Sequence, residues 1–293
     1  MEMTARLFRN DWRPWHLYAS LALVSVAIYA TWQAWGDLIY RAWRDEESSQ
    51  ILLVPIVIVL LIWVRRARLL RLHPQGGWVG TLLVGIGWLL YASGDTYLIE
   101  TFWFAGAILM VLGALLSVLG RQVMTNFLPV LGVLVFLIPI PGTLRPYIAG
   151  PLQTATAAVV EWLFVAFGFT VSRSGNLLRV NGEPVAIAEA CNGLRMIFAL
   201  ILVSYAFVFT TPFRGYVRVI LLVASPIFAI VCNVVRLVPT LWAYGYTSRA
   251  VADALHDVGG WAMLGVSLFM LIGLLRLMEW MELPIRSLGR ATR

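Results

Sequence analysis

An all-α polytopic membrane protein, with about eight transmembrane helices, an outer interfacial helix and a short β-hairpin, is the fold class the sequence predicts. Three observations predict it. Of the 293 residues, 60% are hydrophobic and only 13% charged, roughly half the ~25% of charged residues typical of a soluble domain. Apolar runs approaching the ~20 residues that cross a ~30 Å hydrocarbon core recur along the chain. The arginines gather at the ends of those runs, where they set orientation. The whole chain, residues 1–293, reads as one integral membrane domain.

Spans are expected near 17–35, 49–64, 77–92, 102–119, 126–140, 194–212, 216–235 and 257–279. The first follows Arg6, Arg9 and Arg13 with no convincing small-residue cleavage site, so it is expected to be a retained helix rather than a signal peptide. Arg65, Arg66, Arg68 and Arg71 follow the second span, Arg121 the fourth, and Arg214 and Arg218 flank the turn after the sixth. Arg286, Arg290 and Arg293 close the chain. With eight spans every basic cluster falls on one side, and the loops with Asp45, Glu46, Glu47, Asp95 and Glu100 fall on the other. Both termini are therefore expected in the cytoplasm of a cell whose inner membrane the chain crosses.

That count needs residues 149–168 not to cross. Thr154, Ala158 and Glu161 share one helical face at i, i+4, i+7 spacing, as an interfacial or re-entrant helix would have. The next segment, 170–190, carries Leu177, Leu178 and Val180 into Asn181-Gly182, a type I′ turn signal, and then Val185 and Ile187. A short outer hairpin is predicted there. No internal repeat or low-complexity region is visible.

A formal charge of +7 belongs here to headgroups and orientation, so no nucleic-acid partner is expected; the bilayer is the partner the composition implies. Two cysteines, Cys191 and Cys232, are too few for a disulfide framework and form no CxxC pair. No nucleotide motif is present, and one outer histidine is too few for a zinc site, so neither a cofactor nor a metal is expected.

Three side chains from separate spans are expected at the outer face. Cys191, in EACNGLR at 189–195, joins the hairpin to the start of the sixth span; a helix N-terminus and a nearby arginine favour the thiolate. Arg236, in CNVVRLVP, ends the seventh span, four residues after Cys232, and an ionisable group at such depth is costly and is usually paired or functional. His256, in DALHDVGGW, opens the eighth span; His16 and His73 lie beside cytoplasmic basic clusters instead. Nucleophile, oxyanion-stabilising cation and proton-transfer group form a workable set for acyl transfer. Each residue alone has a plainer reading: a buried small hydrophobe, a snorkelling arginine, a histidine bonded at a helix start. A transporter or assembly scaffold with a Cys191–Cys232 disulfide is the alternative for the whole chain.

Taken together these residues resemble the exosortase and archaeosortase family. EACNGLR is similar to its nucleophile motif, with Asn192 where Ser is usual; NVVR at 233–236 is similar to its arginine motif; His256 falls at its third position. ESSQILLVP at 47–55, FLIPIPG at 136–142, PLQ at 151–153 and SGNLL at 174–178 add to the likeness, although Gln50 stands where His is common. The resemblance implies a membrane cysteine protease and transpeptidase. Its partners would be exported proteins ending in a short motif such as PEP, a transmembrane helix and a basic tail. Cys191 would attack beside the motif, Arg236 would stabilise thiolate or oxyanion, and His256 would move protons. Arg195, Asn233, Asn192 and Glu189 would support them, and a surface glycan or lipid would accept the product. The chain ends soon after the eighth span, so no extra periplasmic domain is expected.

Overall fold

The computed structural model describes residues 12–44, 46–69, 72–139, 141–186 and 193–285. It is built of helices and one small sheet, and divides into two compact units, Met1–Pro141 and Gly142–Arg293. The first unit holds α1 (Pro14–Ala30), α2 (Trp32–Arg44), a 3-10 segment (Glu46–Leu53), α3 (Val54–Leu69), α4 (Trp78–Tyr97), α5 (Glu100–Asn126), α6 (Leu128–Val133) and a second 3-10 turn (Leu134–Leu137). The second holds α7 (Arg145–Ala166), β1 (Val171–Ser174), β2 (Leu177–Val180), β3 (Glu183–Ala186), α8 (Gly193–Thr210), α9 (Gly215–Tyr246) and α10 (Arg249–Trp280).

Among the described residues five helices are long and apolar enough to span a bilayer: Gln50–Leu69, Glu100–Asn126, Arg145–Ala166, Gly215–Tyr246 and Arg249–Trp280. The bent pair α1 and α2 would make a sixth. The runs expected at 126–140 and 194–212 appear as the shorter apolar helices Leu128–Leu137 and Met196–Thr210. The first is cut short before Pro139, since the residue preceding a proline is pushed out of the helical region. The stretch expected on the outer surface is a 22-residue helix, α7, as long as a span.

The first unit is organised by glycine. On α4, Gly80, Gly87 and Gly94 recur every seven residues; on α5, Gly106, Gly113 and Gly120 do the same. All but Gly120 face the backbone of the partner helix: a Cβ on Gly87 would lie 2.8 Å from the Met110 nitrogen, and one on Gly113 2.6 Å from that of Val84. Small residues let two apolar helices approach until dispersion and backbone contacts hold them, which matters where no hydrophobic effect drives helix association. At Gly120 the backbone leaves the helix with φ of +77°, and a side chain there would strike the Gln75 carbonyl.

In the second unit the sheet has order β1-β2-β3, antiparallel throughout. The predicted turn forms as read: Asn181 (φ 53°) and Gly182 (φ 87°) both take positive φ, as a type I′ hairpin requires. The expected hairpin is extended by β1, which pairs with β2 across Gly175-Asn176. Leu178 and Val180 pack with Ala157, Val160 and Phe164 of α7 and with Leu237 and Leu241 of α9. The polar edge of α7 holds β1 and its turn into β2: Asn176 Nδ2 donates to Gln153 Oε1 (3.1 Å), Thr154 Oγ1 to Asn176 Oδ1 (3.1 Å), and Arg173 Nε to Glu161 Oε2 (2.6 Å).

The glycine contacts predict a sharp positional contrast. Gly87→Leu forces overpacking and lowers the unfolding midpoint by the equivalent of about 1–3 kcal/mol. Gly85→Leu on the open face, where nothing lies within 4 Å, leaves it unchanged; thermal unfolding of the purified protein in detergent compares the two.

Candidate functional site

Helices α9 and α10 run well beyond the spans expected from hydropathy, so two candidate residues lie inside helices rather than at helix ends. Arg236 is not at the end of a helix but ten residues before its last residue, Tyr246, and His256 is not the opening residue but seven residues into α10. At about 1.5 Å per residue, Arg236 lies ~15 Å and His256 ~10 Å along the helices from those ends. The reason is local. Pro239 removes one backbone donor without ending the helix, as prolines in apolar bundles often do, and Thr240 Oγ1 donates to the Arg236 carbonyl (2.9 Å). Ahead of His256, Ala250, Ala252, Ala254 and Leu255 are strong helix formers.

Arg236 is 9% exposed and Asn233 3%. One turn of α9 separates them, and Arg236 Nη2 donates to Asn233 Oδ1 at 2.9 Å. The Arg236 side chain also lies against a gap in α10: a Cβ on Gly259 would be 3.0 Å from its stem carbon Cγ, and one on Gly260 3.1 Å from Nη1. Gly259 and Gly260 follow His256 by three and four residues, hence on its helical face. The structure thereby brings Arg236 to the turn of α10 next to His256, through a pair of glycines that the sequence reading passed over. The signal was present in the sequence as HDVGG.

His256 Nδ1 lies 3.1 Å from Asp257 Oδ1, the imidazole mostly covered and the carboxylate 80% exposed. The other nearby carboxylate of α10, Asp253, accepts from the Tyr244 hydroxyl at 2.5 Å. That contact closes the α9–α10 turn. The sheet abuts the same end of α9, where Asn181 Nδ2 donates to the Gly245 carbonyl (3.0 Å).

Cys191, Asn192 and Glu189 lie outside the described residues. They fall within the six positions between Ala186, the end of β3, and Gly193, the start of α8. Arg195 belongs to the first turn of α8. Cys232 is a free thiol, buried, with Sγ 3.7 Å from Met270 Sδ. Gln50 belongs to the 3-10 segment of the first unit.

If Arg236 serves chemistry rather than packing, removing it together with Asn233 should cost the fold less than leaving the cation stranded. Asn233→Leu alone removes a hydrogen bond to a buried charge and destabilises by about 1.5–3 kcal/mol. The double variant Asn233→Leu/Arg236→Met removes the buried cation together with that bond and loses less stability than Asn233→Leu alone, read by thermal unfolding.

Among comparisons with known proteins, the sequence model of the transmembrane exosortase family matches residues 42–273. No curated protein and no solved structure matches the chain.

Proposed function

The chain belongs to the transmembrane exosortase family, and from that premise we propose that it is a membrane-embedded cysteine protease and transpeptidase. It would cleave the C-terminal sorting signal of exported proteins and pass them to a surface acceptor. The observation that carries this reading is the burial of Arg236 in the glycine gap of α10 beside His256. A membrane chain with 13% charged residues gains no obvious stability from enclosing a cation there.

In this reading the Cys191 thiolate, favoured by the start of α8 and by Arg195, attacks the carbonyl carbon next to the recognition motif. A carbon–sulfur bond forms, and the carbonyl electron pair moves to oxygen, where Arg236 offsets the charge. The carbon–nitrogen bond then breaks, and the leaving amine takes a proton from His256. The thioester passes its acyl group to a glycan or lipid nucleophile whose proton His256 removes, and the thiolate is restored. Asn233 orients the guanidinium, and Asp257, holding Nδ1, leaves Nε2 as the nitrogen that moves protons. Asn192 and Glu189 frame the nucleophile. The substrates are proteins with a short motif, one transmembrane helix and a basic tail.

The topology we propose with this function places the site at the periplasmic or extracellular face of the inner membrane. Both termini are cytoplasmic. The grouping of the basic clusters supports it.

Processing of a co-expressed substrate, followed by immunoblot with membrane levels checked, tests the assignment. Cys191→Ala abolishes processing, His256→Ala lowers it by about 10²–10⁴-fold, and Arg236→Ala by about 10²–10³-fold. Asp257→Asn lowers it less than His256→Ala does, and Cys232→Ala leaves it unchanged. Undiminished processing by Cys191→Ala would contradict a cysteine mechanism.

A further inference from the structure

Helix α2 (Trp32–Arg44) is not used by the site, and it enters the count of spans only as the bent second half of a pair with α1. Its thirteen residues divide into three sectors when projected at about 100° per residue. One sector is small and buried: Ala34, Leu38 and Ala42, each under 5% exposed. A second is polar and carries Gln33, Asp37, Arg41 and Arg44. The third carries Trp32, Ile39, Tyr40 and Trp43, exposed by 63%, 57%, 62% and 75%.

A helix continuing a span would be apolar around its free circumference, whereas this one keeps a polar strip beside an aromatic one. Its axis also turns by 78° from that of α1. The corner is bonded: Thr31 Oγ1 donates to the Ala27 carbonyl (2.8 Å) and accepts from the Trp35 indole N–H (3.0 Å). Spanning helices tilt on average ~20° from the bilayer normal, so a helix nearly perpendicular to one lies close to the membrane plane. The polar strip is tied down within the unit. Arg41 donates to Asp37 (2.7 Å) and, through both terminal nitrogens, to Glu100 (3.1 and 2.9 Å) at the start of α5, and it lies 5.6 Å from the centre of the Phe104 ring.

We propose that α2 lies in the plane of one membrane–water interface. Its Trp32, Ile39, Tyr40 and Trp43 face sits in the boundary between lipid headgroups and acyl chains, and its Gln33, Asp37, Arg41 and Arg44 face meets water and headgroups. The chemistry of the exposed arc selects lipid over a protein partner. Tryptophan and tyrosine rings are apolar bodies with a polar edge and favour the headgroup level, and an amphipathic helix of this kind buries its apolar face ~5–10 Å into that boundary. The Arg41–Glu100 contact would then tie the start of α5 to the same level, fixing how deep the first unit sits. The assignment is independent of the catalytic reading.

Nitroxide labels on the full chain test this in liposomes of phosphatidylethanolamine and phosphatidylglycerol. Single cysteines replace Trp32, Gln33, Ile39, Trp43 or Arg44 in a Cys191→Ser/Cys232→Ala background. Collision with oxygen and with a water-soluble nickel chelate gives depth, calibrated by Val59→Cys on the exposed side of Gln50–Leu69. Positions 32, 39 and 43 are expected at one shallow depth of ~5–10 Å, with 33 and 44 open to the chelate. A steady depth change reaching ~16 Å between 32 and 43, as for eleven residues of a continuing span, would overturn the proposal. Shielding of 32, 39 and 43 from both reagents, which a protein partner would cause, or full exposure of all five to the chelate, would overturn it equally.

Discussion

A guanidinium enclosed among apolar helices must be compensated or it will pull the bundle apart, and the second unit is arranged around that need. Removing a cation from water costs several kcal/mol even after relaxation, so Arg236 requires an acceptor and a space shaped for its stem. Asn233, one turn earlier on the same helix, supplies one acceptor. Gly259 and Gly260 supply the space, because any side chain there would meet the arginine. Neighbouring features follow from keeping that arrangement fixed. Leu237 and Leu241, just beyond Arg236, anchor the sheet, and Tyr244 bonds Asp253 across the turn between α9 and α10.

The same economy of side-chain volume appears in the first unit with a different purpose. There the heptad glycines of α4 and α5 bring two backbones together with no charge between them, so packing alone is served. In the second unit Gly259 and Gly260 make room for a charged side chain instead. A glycine in an apolar helix is therefore informative only with its neighbour: Gly85, Gly265 and Gly273 face open space and carry no such meaning.

Much of this was legible in the sequence, and the failures have physical causes. The I′ turn at Asn181-Gly182 was read correctly because positive φ at two successive residues restricts the residue types severely. Membership of the family was legible from EACNGLR, NVVR and His256 in order. The ends of α9 and α10 were misjudged because hydropathy reports where lipid can be, not where hydrogen bonding stops, and turns with Thr240, Tyr244 or Asp253 can be helical outside the hydrocarbon. Strand β1 was missed since Ser172, Arg173 and Ser174 show no apolar alternation; it is held by pairing with β2 and by Glu161. The seven-residue glycine spacing was visible as letters, but only the antiparallel pairing of α4 with α5 gives it meaning.

The central claim, that acyl transfer passes through Cys191 in a chain whose Arg236 and His256 serve it, is tested most directly by trapping the covalent intermediate. Wild type mixed with a substrate in the absence of acceptor would be quenched in acid, digested and read by mass spectrometry. The account predicts a hydroxylamine-sensitive adduct on the peptide containing Cys191, formed more slowly in Arg236→Ala. An adduct on the Cys232 peptide, or continued cleavage with no thioester on Cys191, would contradict it.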